Sequence, residues 1–335
     1  MTISRVGLTA LALSALFSST ASAVVYNHEE FAPLVKTYSA AQADLLGSTV
    51  ISSAQRIARL NGARGTDLTQ GEVLGYMANI APTTAAAAAV AVQASGTTFN
   101  PFGVWVDGSF AYLENNASTG RAMVGSAGVD YVVDDNLLVG AFIAVDRVYD
   151  LKSNLETMNG TGVMVGPYMT ARLSQELTLD ITAAIGAAEY TGTALSSEVT
   201  NKAKRAYFNA TISGAFGETA LRFTPRAGLT YTGEWTDGYD AGGRIDGKND
   251  DTTTTVFVGP GVTYSAQVAG VSFSASVNAD IKSTLGNGST LSGAIEAAAK
   301  LGFDNGFGLT AAASHSGIGT SNRATTISLK ASAGF

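Results

Sequence analysis

The sequence predicts an all-β fold: a 12-stranded antiparallel transmembrane β-barrel preceded by a short α-helical N-terminal segment. Three observations predict it. From about residue 102 onward, apolar and polar side chains alternate at period two, the pattern of strands with two unlike faces. The connections between these segments alternate long and short, as they must around a barrel with tight turns at one rim and loops at the other. The composition suits such a wall, with 14% charged residues, 38 glycines and no cysteine for disulfides or thiolate metal sites.

Residues 1–23 read as a secretory signal peptide. Arg5 supplies a thin positive region, Val6–Phe17 a short apolar core, and Ala21-Ser22-Ala23 a small-x-small cleavage site. The apolar core is shorter than the roughly 20 residues of a spanning helix. The mature chain is expected to begin at Val24.

Residues 24–100 read as a helical N-terminal segment and linker. Glu29–Leu60 carries helical periodicity through Phe31, Leu34, Val35, Tyr38, Ala41, Leu45 and Leu46, then Ile57 and Leu60 before the stop Asn61-Gly62. Pro82 fits the first turn of a second helix running through Ala85, Ala89 and Val92. Small side chains make that helix thin, and fourteen residues at about 1.5 Å each reach roughly 20 Å, close to the height of a membrane barrel. Pro82–Ser95 is therefore a candidate lumen plug, and a flexible alanine-rich linker is the alternative.

Residues 101–335 form the barrel, with strands expected at 103–114, 120–133, 136–148, 160–172, 176–190, 202–215, 218–233, 252–265, 270–282, 289–303, 306–315 and 323–335. In the fifth, Leu177, Leu179, Ile181 and Ile185 oppose Thr178, Asp180 and Thr182. In the ninth, Val271, Phe273, Val277 and Ile281 oppose Ser272, Ser274, Asn278 and Lys282. Short turns are expected at Asp134-Asp135, 173–175, Phe216-Gly217, 266–269 and Asp304-Asn305. Long loops are expected at 115–119, 149–159, 191–201, 234–251, 283–288 and 316–322. The last strand sets Ile327, Leu329 and Phe335 on one face against Ser328 and Lys330 on the other. Its final aromatic resembles the insertion signal of bacterial outer-membrane barrels.

Several short motifs, in their order, resemble the autotransporter β-domain family. Phe102-Gly-Val-Trp-Val-Asp-Gly-Ser-Phe-Ala-Tyr112 is similar to its opening strand, followed by Gly128-Val-Asp-Tyr131, the turn Asp134-Asp-Asn136 and Leu137-Leu-Val-Gly140. Pro225-Arg-Ala-Gly-Leu-Thr-Tyr231 resembles its Pro-x-x-Gly-x-x-Tyr strand. Ser39–Gln42 through Arg59-Leu60 and Arg64-Gly65 resembles the helical segment that often precedes such barrels. The resemblance implies an outer-membrane translocator that moves or anchors its own N-terminal segment at the cell surface. The stretch between Ala23 and Phe102 leaves no room for a β-helical passenger, and no Asn-Asn pair stands just before the first strand to support self-cleavage. The alternative is a passenger-less diffusion pore or surface-interaction protein.

No enzyme is expected. The two histidines, His28 and His315, are far apart in sequence, and the parity of its strand turns His315 toward lipid or the rim. No metal or other cofactor is expected either, since two distant histidines without cysteine make no zinc site. The acidic run Glu234, Asp237, Asp240, Asp246 and Asp250 reads as a solvated loop. Charges on the polar strand faces are the candidate functional residues: Asp107, Asp180, Arg205, Arg222, Arg226, Asp280, Lys282, Glu296, Lys300 and Lys330. Water in a lumen tolerates them, whereas Arg or Lys facing mid-membrane lipid would cost about 2–4 kcal/mol. They read as an ion-pair network that keeps the barrel round or as a selective lining.

The formal charge of −7 argues against nucleic acid. The expected location is the outer membrane of a Gram-negative bacterium, after Sec export and cleavage near Ala23. Expected partners are membrane lipid and lipopolysaccharide, the barrel-assembly machinery and periplasmic chaperones, around a monomer.

Overall fold

The computed structural model describes residues 101–115, 119–153, 156–194, 197–217, 220–240, 245–246, 249–268, 271–285, 289–303, 307–320 and 323–334, together with Arg56 and Leu60. The candidate plug residues Pro82, Ala85, Ala89 and Val92, the signal peptide and Phe335 lie outside them.

The strands are β1 (Phe102–Asn115), β2 (Thr119–Asp134), β3 (Leu137–Ser153), β4 (Glu156–Arg172), β5 (Leu177–Ala194) and β6 (Ser197–Gly214). They continue as β7 (Leu221–Phe223), β8 (Arg226–Asp240), β9 (Ile245–Asp246), β10 (Asn249–Gly259) and β11 (Gly261–Val268). The last four are β12 (Val271–Leu285), β13 (Thr290–Phe303), β14 (Phe307–Ile318) and β15 (Ala324–Gly334). All pairings are antiparallel between neighbours, β1 pairs with β15, and β10 bridges β8 to β12, so the sheet closes on itself as a 12-stranded barrel.

Two of the expected strands are interrupted. The segment read as 218–233 divides into β7 and β8 at Thr224-Pro225, and the one read as 252–265 divides into β10 and β11 at Pro260. A proline has no N–H to give to a ladder, and these two strands break at theirs, whereas β4 runs on through Pro167. Carbonyls still find donors there: Gly214 N–H bonds Pro225 O at 2.8 Å, and Ala279 N–H bonds Pro260 O at 3.0 Å.

The long connections differ more. Segments 149–159 and 191–201, read as loops, are mostly strand. β3 pairs with β4 out to Ser153 and Glu156, and β5 with β6 out to Ala194 and Ser197. The 18 residues of β5 exceed the 9–11 or so that cross a bilayer, so these hairpins run on beyond the membrane as polar ribbons. Their side chains there include Thr191, Thr200 and Lys202, in a stretch of sequence that does not alternate in hydrophobicity and so hides the strand from a period-two reading. A bulge between Val148 and Leu151 marks the passage in β3, where Asp150 adopts a φ of 50° and its N–H bonds the Asn159 side chain at 3.1 Å. At the opposite rim the turns are tight. Asn136 N–H bonds Asp134 Oδ1 at 2.7 Å, and Ser174 Oγ accepts from the amides of Glu176 and Leu177.

The outer surface is apolar. Val129, Val139, Ile143, Val163, Val165, Ile185, Val258, Ile281, Ile295, Ile327 and Leu329 are all exposed. Rings collect at the tight-turn rim, where Phe102 lies 4.8 Å from Tyr131 and Phe303 5.8 Å from Phe307. An apolar band edged by aromatics is the surface that a bilayer contacts.

Candidate functional site in the barrel lumen

The interior wall has two unlike halves. On β1 to β6 the inward positions include large residues: Trp105, Leu138, Phe142, Met158, Met164, Tyr168, Tyr190 and Tyr207 form one buried cluster, and Leu60 of the N-terminal segment belongs to it. On β10 to β15 the inward residues are mostly small and polar, among them Ser274, Ser276, Ser292, Thr310, Ser314 and Ser328, and they stay half-exposed.

Aromatic residues lie across glycines on the filled half. Trp105 is the direct cross-strand partner of Gly128, Tyr168 of Gly140, and Tyr190 of Gly160. A Cβ at Gly128 would come within 2.4 Å of the Trp105 ring, and one at Gly140 within 2.3 Å of Tyr168. These glycines are those of the Gly128-Val-Asp-Tyr131 and Leu137-Leu-Val-Gly140 motifs, which exist to let a ring cover the neighbouring backbone. So packed, Trp105 Nε1 donates to Tyr168 Oη at 2.7 Å, and Tyr168 Oη stands 3.4 Å from both Asp130 Oδ2 and Val129 O.

Above Tyr168 sits Arg56. This residue and Leu60 are helical and one turn apart, so they share a face. Arg56 Nη2 is 3.3 Å from Asp180 Oδ1, with both side chains about nineteen-twentieths buried, and its guanidinium stacks 5.4 Å from the Tyr168 ring centroid. Thr170 Oγ1 donates to the same Asp180 oxygen at 2.5 Å.

A second network is centred on Arg205. Its Nε is 3.1 Å from Glu234 Oε2 and its Nη1 3.2 Å from Asp146 Oδ2, each side chain 2% exposed. Arg205 Nη2 donates to Tyr190 Oη at 2.5 Å, and that hydroxyl donates to Glu234 at 2.6 Å. To reach Asp146 on β3 from β6, the arginine passes over Gly162, where a Cβ would stand 2.3 Å from Nη1. A third network joins β8 to β12 and β13, with Arg226 held by Asp280 at 2.7 and 3.1 Å and by Glu296 at 2.8 Å. Across the closing seam, Lys330 on β15 pairs with Asp107 on β1 at 2.8 Å.

Of the residues singled out from sequence, Asp107, Asp180, Arg205, Arg226, Asp280, Glu296 and Lys330 are thus paired inside the barrel. Lys282 and Lys300 lie half-buried on the inward faces of β12 and β13. Arg222 is exposed on the short β7, opposite Thr263. Ile327 and Leu329 face outward, each 58% exposed. His315 meets Thr325 Oγ1 at 3.0 Å near the surface. Among the described residues no group of three or more His, Asp or Glu side chains is placed to hold a metal.

One assignment is corrected. Glu234, read as the start of a solvated acidic loop, is a buried strand residue on β8 bonded to Arg205, because β8 continues to Asp240 before any loop begins. Arg56, Asp130, Asp146, Tyr168 and Tyr190 were not among the candidates. For Tyr168 and Tyr190 the signal was the pairing of an aromatic with a glycine on the next strand, a feature that strand-by-strand parity does not test.

A closed antiparallel barrel with an apolar belt outside and buried ion networks inside is an outer-membrane β-barrel of the Gram-negative type. The profile of the autotransporter beta-domain matches residues 99–316, and the chain belongs to that family. Among solved structures it is similar to the translocator domain of the autotransporter NalP from Neisseria meningitidis, with 12% identity and a TM-score of 0.56 over 69% of this chain and 88% of that one. It is similar as well to the beta domain of the Bordetella autotransporter BrkA, with 14% identity and a TM-score of 0.55 over 70% of this chain and 99% of that one. At such identities the likeness is one of fold. No curated protein sequence matches.

Proposed function

We propose that this translocator-type barrel anchors its own short N-terminal segment, part of which occupies the lumen as a plug. The observation that carries this reading is the buried pair Arg56–Asp180, together with Leu60 in the apolar cluster. A guanidinium in a lumen that were simply water-filled would need no such partner. Here it has a carboxylate, an aromatic face and almost no exposure. Removing one member of a buried pair costs about 3–5 kcal/mol, so the seat is specific for a cation at this point. The barrel would reach the outer membrane by Sec export with cleavage near Ala23, with help from periplasmic chaperones and the barrel-assembly machinery. It would then work as a monomer among lipid and lipopolysaccharide.

The test is single-channel conductance of the refolded chain, intact and without residues 24–95. A plug gives low conductance in the intact protein and a rise on deletion, with Asp180→Asn raising the frequency of large openings. Equal conductance with and without the segment would place it outside the lumen, and the passenger-less pore would then be the better description.

A further inference from the structure

We propose that a water-filled path persists along the β10–β15 wall, beside the seated N-terminal residues, and that it favours small inorganic anions, with Lys300 as the main selectivity-determining residue and Lys282 as the second. The inference rests on the reading above only in that Arg56 and Leu60 lean on the opposite wall.

The burial pattern comes first. Every described member of the buried apolar cluster lies between residues 60 and 207; none comes from β8 or from any strand after it. On the far wall Lys282, Ser292, Lys300, Thr310, Ala312, Ser314, Thr326 and Ser328 retain exposure although they point inward. The small serines and threonines among them wet a channel without filling it.

The charges on that wall come second. Arg226 is neutralised by Asp280 and Glu296, and Lys330 by Asp107. Among the described residues neither Lys282 nor Lys300 forms an ion pair. Lys300 stands level with Lys330 across β14, since Lys300 faces Thr310 and Thr310 faces Lys330. Two ammonium groups and one carboxylate thus lie close to one cross-strand row of the wall. Lys282 stands higher, one pleat beyond Asp280 on the same strand. The Arg226 group, with one excess negative charge, lies between them and is partly shielded by the burial of Asp280. An ion moving along the wall meets Lys282 on one side of that group and Lys300 on the other.

The filled half carries charges of both signs. Asp130, Asp146 and Asp180, with Glu234 on the adjoining β8, face inward beside Arg172 and Arg205 of the barrel itself. A cationic residue of the N-terminal segment is thus seated on the filled side, and Lys282 and Lys300 face the solvent of the other side.

The test is the reversal potential of the folded full chain in planar bilayers under a potassium chloride gradient. Wild-type protein should pass chloride in preference to potassium. Lys300→Glu should shift the permeability ratio about a hundredfold toward potassium, since a two-charge change at about 6 Å in water is worth about tenfold for each ion and has opposite sign for the two. Lys300→Gln should give roughly half that effect on a logarithmic scale, and it guards against a folding defect in the glutamate variant. Lys204→Glu, on the outward face of β6, should leave the ratio unchanged. Cation preference in the wild type, or an equal ratio in wild type and both Lys300 variants, would overturn the proposal. A porin-sized conductance in which Lys300→Glu still shifts the ratio would instead sink the seated-segment reading and leave the lining intact.

Discussion

Replacing Arg205 by methionine is the most demanding test of how the lumen holds the barrel together. The guanidinium bridges Asp146 and Glu234, each 2% exposed, and donates to Tyr190 as well. Methionine keeps much of the length and removes the charge. Two buried carboxylates then lose a partner at about 3 Å, and loss of one buried partner costs about 3–5 kcal/mol. At about 1.4 kcal/mol per tenfold, the unfolding equilibrium should move by two to four powers of ten. The triple variant Asp146→Asn, Arg205→Met, Glu234→Gln removes all three charges, and neutral replacement of a buried ion group is near break-even. It should therefore be more stable than the single variant, although it carries more changes. Urea titration of the refolded protein in micelles, followed by heat-modifiable migration and tryptophan fluorescence, reads both. The reasoning fails if Arg205→Met lies within about 1 kcal/mol of wild type, or if the triple variant is less stable than the single one.

Three further outcomes follow from the wall itself. A Cβ at Gly166 would meet the Ala183 carbonyl oxygen on the neighbouring strand at 1.8 Å, so Gly166→Ala should cost about 1–3 kcal/mol or more in the same titration. Gly125, with open space around its Cβ position, should accept alanine within about 0.5 kcal/mol. Leu329→Arg sets a cation on the lipid side of β15 and should destabilise by about 2–4 kcal/mol if that position lies near the bilayer midplane. A loss below about 0.5 kcal/mol would put Leu329 near the interface instead.

The fold was legible because a membrane barrel repeats one simple constraint on every strand: lipid outside, water or packed polar groups inside. Leu177–Ile185 and Val271–Lys282 obey it, and their facing is as read. The constraint fails where the interior is filled. On β3 and β4, Leu138, Phe142 and Met164 point inward beside outward Val139, Ile143 and Val165, so both faces are apolar and parity distinguishes nothing. Asp146 and Asp130 sit among these residues and were passed over. The two prolines were visible, yet only the ladder shows that each divides a strand. Arg56 could not be found from the strands at all. Its partner Asp180 was a candidate, but the pair joins residues 56 and 180, and nothing local in either segment announces the other.

Arg226 and Glu234 stand on one strand, β8, eight residues apart and both facing inward. Much of the wall around them is nearly self-similar: Thr252 to Thr255 on β10, Ser272, Ser274 and Ser276 on β12, and Ala297 to Ala299 on β13. Sliding such a strand by two residues keeps every apolar side chain outside and trades one threonine, serine or alanine for another. Alternation forbids a slip of one residue and is almost indifferent to a slip of two. The charges are not indifferent. A two-residue slip displaces each by about 7 Å, which separates Arg226 from Asp280 and Glu296 and Glu234 from Arg205 together. The alternating pattern tells β8 which way to face, and its two paired ions tell it where along its neighbours to stop.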